Sequence, residues 1–381
     1  MQRRTSVILY LIFCSIFFCS AIFAQKRVPN DTEILSARMA ALGGLHSALA
    51  DDLNTLFSNP AGFRSVEPQF SIAELTLGIY GQADDVAGEM ISGMDSSAIE
   101  YTYSDLYLLG PIAFGYVGNG LGFGLFNTSN IRSFEPYQTN NTKWTIIEER
   151  FLMAGGYSFR IPLPDKWKSS LDIGFLFRVF ITTQSLITKD IQEVYKSYSN
   201  PLGLINNEPF NLIPGAGINL GILYTYKETF SIGLAARDLA PFIINSYTSF
   251  QAFLDGEEPD ILNFWVPLDL SLGILWRPQL GRLGRYISDL MLMLDYQDMI
   301  DFLTNPYAPS NPLLHISFGI ELQLLEIVSL RAGFYHLLPS AGFGLDLLLF
   351  SLNMAVFGRE LSAEPWGNPI YNYTIGIEFK Y

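Results

Sequence analysis

The stretch "NYTIGIEFKY", Asn372 to Tyr381, alternates without a fault. Tyr373, Ile375, Ile377, Phe379 and Tyr381 fall on one face; Asn372, Thr374, Gly376, Glu378 and Lys380 fall on the other. Successive side chains of a strand point to opposite sides, so this reads as a strand with one apolar face. A half-buried strand of a soluble sandwich alternates in the same way. Tyr381, an aromatic in the last position, tilts the reading toward a strand whose apolar face meets lipid.

The composition agrees. Charged residues make up 16% of the chain and aromatics 14%, and mean hydropathy is +0.23; soluble chains carry about 25% charged residues. Yet past residue 24 no uninterrupted apolar run reaches the length of a membrane-spanning helix. The best candidate, "AGFGLDLLLFSLNMAVFG" (341–358), contains Asp346 and Asn353. A chain this apolar without such a helix has one other way to satisfy its backbone in a bilayer, which is a closed barrel. The expected fold class is all-β, an antiparallel transmembrane β-barrel.

At the other end, "MQRRTS" is followed by an uncharged run from Val7 to Phe23 and then by Ala24-Gln25-Lys26. A basic segment, an apolar run and a small residue at the cleavage point predict a signal peptide over 1–24. A membrane anchor is the alternative, since the run nears the lower limit for a span. A lipoprotein signal fits less well, because Cys14 and Cys19 each follow a Phe. With both cysteines in this segment the mature chain would have none, which excludes disulfides, thiolate metal sites and cysteine nucleophiles. Loss of Arg3 and Arg4 would move the net charge from −14 to −16. An acidic exported chain is not expected to bind nucleic acid.

Between the ends, strand patterns recur. "IAFGYVGNGLGFGLFN" (112–127) turns at Gly118-Asn119-Gly120, a tight hairpin signal. "RFLMAGGYSFRI" and "SLDIGFLFRVF" flank a turn at "PLPDKWK", and a hairpin turns at Lys227-Glu228-Thr229. The stretch 342–357 reads as one long strand or as a hairpin near Phe350-Ser351, and Ile99–Val117 as one strand or two. About 14 strands are expected, an even number being the rule for such barrels. Glycines fall at inward positions, among them Gly122, Gly124, Gly174, Gly217, Gly221 and Gly344. Long segments at 184–212, 238–262 and 299–312 contrast with short turns. The second, around "APFIINSYTSFQAFLDGEEPDILNFW", is apolar enough to shape a mouth, lie against lipid or pack on itself.

Before about Gln69 the spacing is helical. Ile34, Met39 and Leu42 form a loose stripe before Gly43-Gly44, with Asp31 a possible cap. In "ADDLNTLFSNPAGF" (50–63), Asp51 or Asp52 stands where a helix start favours a carboxylate. Leu53, Leu56 and Phe57 share a face, Pro60 ends the helix and Gly62 allows a further turn. A unit of this size cannot bury a core alone. The barrel lumen is the expected host, giving a plug over 25–68 and a barrel over 69–381.

These residues resemble a known family. "ARMAALGGLHSALADDLNTLFSNPAGF" is similar to the N-terminal hatch of FadL-type long-chain fatty acid transporters of bacterial outer membranes, and to their spirochaete relatives. The resemblance rests on Ala37-Arg38, Leu42-Gly43-Gly44, Ala50-Asp51-Asp52 and Asn59-Pro60-Ala61-Gly62. His46 departs from it. The resemblance implies a 14-stranded barrel plugged by the hatch, in the outer membrane of a diderm bacterium. It implies hydrophobic ligands, fatty acids among them, that pass the hatch and leave sideways through a gap made by a kinked strand. The terminal strand of Tyr373, Ile375, Ile377, Phe379 and Tyr381 likewise resembles the signal read by the barrel-assembly machinery. Barrels of the type IX secretion system resemble this hatch too, which keeps a shuttle role open. A general porin is the third alternative, and a plug argues against it.

No catalytic constellation stands out. His46, His315 and His336 are scattered without metal-ligand spacing, and the last two begin and end neighbouring strands. The glycine-rich stretches precede no helix, and no nucleophile elbow occurs. Neither enzyme activity, a metal nor a cofactor is expected. The five tryptophans fall at strand ends or in loops, as an interfacial girdle would place them.

Overall fold

A computed structural model describes residues 36–81, 104–134, 144–187 and 206–380, apart from 267, 305, 307, 308, 348, 361 and 368. The expected signal peptide, Asp31, Ile34 and Tyr381 lie outside the described residues. Among the described residues fifteen strand segments follow one another: β1 (Gln69–Gly81), β2 (Ser104–Gly118), β3 (Leu121–Phe134), β4 (Trp144–Ile161), β5 (Ser169–Ile187), β6 (Phe210–Tyr226), β7 (Phe230–Tyr247), β8 (Asp260–Val266), β9 (Asp269–Trp276), β10 (Ile287–Tyr296), β11 (Ile316–Leu324), β12 (Val328–Tyr335), β13 (Leu338–Leu347), β14 (Phe350–Glu360) and β15 (Pro369–Lys380). Sequence neighbours pair antiparallel, and β1 pairs with β15, which closes the ring. Both β8 and β9 pair with β7, and Ala240↔Val266 and Arg237↔Asp269 lie in one register. They form a single stave in two pieces, so the closed barrel has the expected 14 staves.

The alternation is physical. On β15, Tyr373 and Ile375 face outward at 39% and 37% exposure, while the alternate residues Asn372 and Thr374 face inward and are buried. The same outward apolar rows run over β4 (Phe151, Met153, Tyr157, Phe159) and β5 (Phe177, Val179, Ile181). An apolar outside and a polar or plugged inside invert the order of a soluble protein, as a bilayer requires.

Connections at the end that holds Gln69 and Lys380 are short: the 119–120 turn, the Asp165–Trp167 single turn, the 227–229 turn, and the turns of β11–β12 and β13–β14. The 342–357 stretch is thus a hairpin. At the opposite end β12 and β13 meet in a tight turn at His336-Leu337, both at positive φ. There β11 begins where β12 ends, so His315 and His336 lie on one rim. Antiparallel pairing brings them to the same end because it folds the chain back on itself.

One expected long loop is largely strand, and another is trimmed at both ends by strand. β5 continues to Ile187 and β6 starts at Phe210, which narrows the 184–212 segment. The 238–262 segment holds the upper half of β7, a short helix α1 (Phe250–Leu254) and β8. A register irregularity with Asp238 at φ 64° moves the outward face of β7 from Ile232 to Leu239 and Ile243. A bulge of this kind flips the alternation, so the period-2 signal breaks although the strand goes on. The aromatics of this segment pack on one another: the Phe210 ring lies 5.0 Å from both Phe250 and Phe253.

Residues 36–67 lie inside the barrel as two short helices, α2 (Ala37–Ala41) and α3 (Thr55–Ser58), and a 3-10 turn over Pro60–Arg64. Leu42, Leu45, Leu56 and Phe63 are fully buried against the wall. α3 stops at Ser58, Asn59 turns extended, and Pro60 opens the next turn. α3 itself starts at Thr55 without a side-chain cap; Asp52 accepts from the Asn54 amide just ahead of it (2.8 Å), and the Arg38 guanidinium draws both carboxylates.

Candidate functional site

The lumenal segment is held by a few polar contacts of high quality. Ser36 caps α2 by accepting from the Met39 amide. The next turn of α2 aims Arg38 into a ring of acids. Its Nε donates to Glu321 Oε2 at 2.9 Å and its Nη2 to Glu321 Oε1 at 3.0 Å. Nη1 donates to Asp51 Oδ1 (2.9 Å) and Asp52 Oδ2 (2.6 Å), and Nη2 also donates to Asp51 Oδ2 (2.7 Å). All five N–H groups of a guanidinium are thereby used. Glu321, on β11, also accepts from Arg331 Nε of β12 at 2.7 Å. Burial works against the ionised form of Asp51, but the Arg38 charge and its hydrogen bonds, with Arg277 and Arg331, hold that carboxyl below the usual range. Burial pushes Asp52 up, and the charge of Asp51 adds to it.

His46 is the second anchor. Its Nδ1 lies 2.6 Å from Asp295 Oδ2 of β10, its Nε2 2.9 Å from the Leu42 carbonyl, and Asp295 also accepts from the Ser47 amide. Nothing in the sequence around His46 assigns it a role. The available signal was Asp295 itself, a lone acid at an inward position of the apolar strand "LMLMLDY". Glu321 in "FGIELQL" is the same kind of signal.

The Asn59-Pro60-Ala61-Gly62 stretch is the third anchor. Asn59 Nδ2 donates to the Ser47 carbonyl (2.7 Å) and to Ile222 of β6 (3.2 Å), and its Oδ1 accepts from the Ala61 amide (3.0 Å). Wall glycines make room for this stretch. A Cβ at Gly122 would stand 2.7 Å from the Phe63 ring, and one at Gly221 2.9 Å from the Ala61 nitrogen. Gly43 and Gly44 turn the chain after α2 at φ 84° and 114°, where an L side chain is strained. Of the residues singled out in the sequence, the structure gathers Gly43, Gly44, Ala50, Asp51, Asp52, Asn59, Pro60, Ala61 and Gly62 in the lumen. The terminal strand residues Tyr373, Ile375 and Phe379 stay on the outer face.

Beneath this segment, toward the end that holds the barrel's termini, lies a cavity of about 940 Å³. Its lining is charged: Arg38, Asp51, Asp52, Arg277, Glu321, Arg331, Glu378 and Lys380 are among it. It suits water and ions better than a hydrophobic molecule.

The apolar ground lies elsewhere, behind a defect in the wall. Between Ser71↔Gly115 and Thr76↔Leu109 the β1–β2 ladder has no partners among the described residues. The β2–β3 ladder lapses between Leu109↔Thr128 and Ala113↔Phe126. Both gaps meet at Gly110-Pro111. Gly110 has φ 98°, and a Cβ there would press on the Glu74 carbonyl. Pro111 has no N–H to give a ladder. The Ile112 amide reaches a side chain instead, Asn127 Oδ1 at 3.4 Å. Immediately inside, Leu109, Ala113, Phe126 and Leu176 form one buried apolar cluster with Leu53 and Phe63 of the lumenal segment. Outside, Ile72, Leu75 and Ile112 are exposed. A break in pairing thus joins an apolar interior to an apolar exterior.

No family model and no curated protein matches this chain. Solved structures do. The toluene transporter TbuX of Ralstonia pickettii superposes with a TM-score of 0.51 over 89% of this chain and 96% of its own, at 14% identity. The fold is shared with TbuX. A mutant of the monoaromatic hydrocarbon channel TodX aligns over 92% of this chain and 99% of its own, at 16% identity and a TM-score of 0.49. A Pseudomonas aeruginosa FadL homologue aligns over 91% and 97%, at 11% identity and 0.45. TbuX carries the comparison, and what it carries is architecture.

Proposed function

We propose that the protein is a FadL-type outer-membrane channel that passes hydrophobic molecules, long-chain fatty acids as the expected class, past the lumenal hatch and out through the wall at Gly110. The observation that carries this reading is the lapse of both β2 ladders in front of the apolar cluster that the hatch completes. Such a path keeps an apolar solute out of water, whereas the charged cavity below the hatch favours polar solutes. The similarity of fold to a toluene transporter supports a hydrophobic cargo. On this reading residues 1–24 are the export signal, 25–68 the hatch and 69–381 the barrel, with β15 presenting the assembly signal. A general porin fits poorly, since residues 36–67 occupy the lumen.

Uptake into proteoliposomes tests the reading. Labelled oleate is expected to enter and labelled glucose is not. Ala113→Trp, which fills the space just inside the break, is expected to lower oleate entry about tenfold with the barrel still folded, as judged by heat-shifted gel mobility. Equal entry of glucose, or undiminished oleate entry in a folded Ala113→Trp barrel, would overturn the proposed route.

A further inference from the structure

The wall is not equally tall all round. On β5 the outward apolar row runs from Leu171 to Ile181, ten residue steps. At about 3.3 Å per residue and a tilt near 40° this covers about 25 Å, the height of a barrel's apolar band. On β12 the outward row is Val328, Leu330, Ala332 and Phe334, six steps, or about 15 Å by the same arithmetic. At its far end this row stops at the His336-Leu337 turn. The missing height must come from the other end or from a thinner membrane.

At that other end the turns are of an unusual kind. Leu325 and Glu326 join β11 to β12 at φ 52° and 60°, positions that favour Asn-Gly. Leu325 is nonetheless 63% exposed, as is Leu349 in the adjacent β13–β14 turn. Ile327 is exposed beside them, and Tyr286 projects from the β9–β10 connection with the exposed Arg282 and Arg285. Across the ring the corresponding turns are polar: Asn119-Gly120, and Lys227-Glu228-Thr229. Trp167 and Tyr226 stand there as single aromatics at the ends of longer strands. A bulky apolar residue left in water at a strained φ has no gain in a soluble turn. Counted into the row, Leu325 at the turn tip lengthens the β12 side by about one residue step, to about 18 Å.

We infer that the turns after β11 and β13 are a lipid-contacting surface: Leu325, Ile327 and Leu349 sit within the apolar part of the near leaflet, with Arg282 and Arg285 at its phosphates. Long basic side chains suit that level, since their stems lie in apolar surroundings and their heads stay wet. The occupant is phospholipid, continuous with the lipid that already covers Leu330 and Phe334. This inference rests on the barrel lying in a bilayer, and its test separates the two.

Single-cysteine variants Leu325→Cys, Leu349→Cys, Leu330→Cys and Lys227→Cys, in a Cys14→Ser/Cys19→Ser background, are nitroxide-labelled and reconstituted into phosphatidylethanolamine–phosphatidylglycerol vesicles. Relaxation by oxygen is compared with relaxation by a water-soluble nickel chelate. Labels at 325 and 349 are expected to favour oxygen several-fold, as the label at 330 does, while the label at 227 favours nickel. If 330 reads as lipid but 325 and 349 match 227, the inference falls alone. If 330 reads as water, the membrane reading falls with it.

Discussion

Arg38 and Glu321 stand 283 residues apart in sequence, and the guanidinium of the one grips both carboxylate oxygens of the other at 2.9 and 3.0 Å. This fork ties the hatch to the wall. Removing one partner of a buried ion pair costs about 3–5 kcal/mol, because the other charge stays behind. Arg38→Met leaves Asp51, Asp52 and Glu321 facing one another and is expected to free the hatch. Limited proteolysis of the folded barrel should then cleave within residues 36–67, where the parent resists. The Glu321→Gln variant, which keeps an acceptor, should lose less.

The same cluster sets an acid limit. Asp51 is held below the usual carboxylate range, so its contribution is present above the unfolded value, near 4, and is lost as pH falls through its lower folded value. Asp52 is raised, so ionising it weakens the fold as pH rises, and protonating it is tolerated. Protease resistance of the hatch should therefore persist from pH 7 to about 4 and fail only below that. Loss of resistance already at pH 6 would contradict the assignment.

Asn59→Ala removes a side chain that satisfies two carbonyls and one amide. Leaving buried groups without partners costs about 1–3 kcal/mol each. The hatch should loosen, as read by faster hydrogen exchange at Ser47 and Ala61. Pro60→Ala, which only removes the stop after α3, should loosen it less.

Gly122→Leu drives a side chain into the Phe63 ring, which a Cβ alone would approach to 2.7 Å. Overpacking of this kind costs about 1–3 kcal/mol. The hatch is expected to unseat while the ring of strands stays closed, so heat-shifted gel mobility should hold and protease resistance of residues 36–67 should not. The outward Met153→Leu on the neighbouring strand serves as a control that changes neither.

Gly110→Ala tests the break. A Cβ at φ 98° is strained and meets the Glu74 carbonyl. The barrel should unfold at a lower temperature, by the equivalent of about 1–3 kcal/mol. Gly155→Ala, where a Cβ meets open space, should leave the unfolding temperature unchanged.

Much of this protein is periodic, and periodicity is local. Alternation in β4, β5, β6 and β15 named the outward face of each strand, because one apolar face must meet lipid all along it. It failed at Asp238, where a bulge flips the face, and at Pro111, which hid a break inside one strand. The lumenal segment was legible as a unit from its stripe and its proline stop, but the partner of its acids was not. Asp51 and Asp52 carry the composition of a helix start, and nothing nearby in sequence advertises that Arg38 claims them.

By itself, then, the sequence determined which residues face out, that the chain closes as an all-β barrel of about 14 strands, and that a segment before Gln69 needs a host. Only the tertiary structure decided that β8 and β9 are one stave, that His46 meets Asp295, that Arg38 meets Glu321, and that the ladders of β2 lapse in front of an apolar cluster. The physical reason is the range of the interaction. Facing is set by the bond geometry of neighbouring residues, whereas a lumenal partner is set by how the closed ring brings distant strands around one plug.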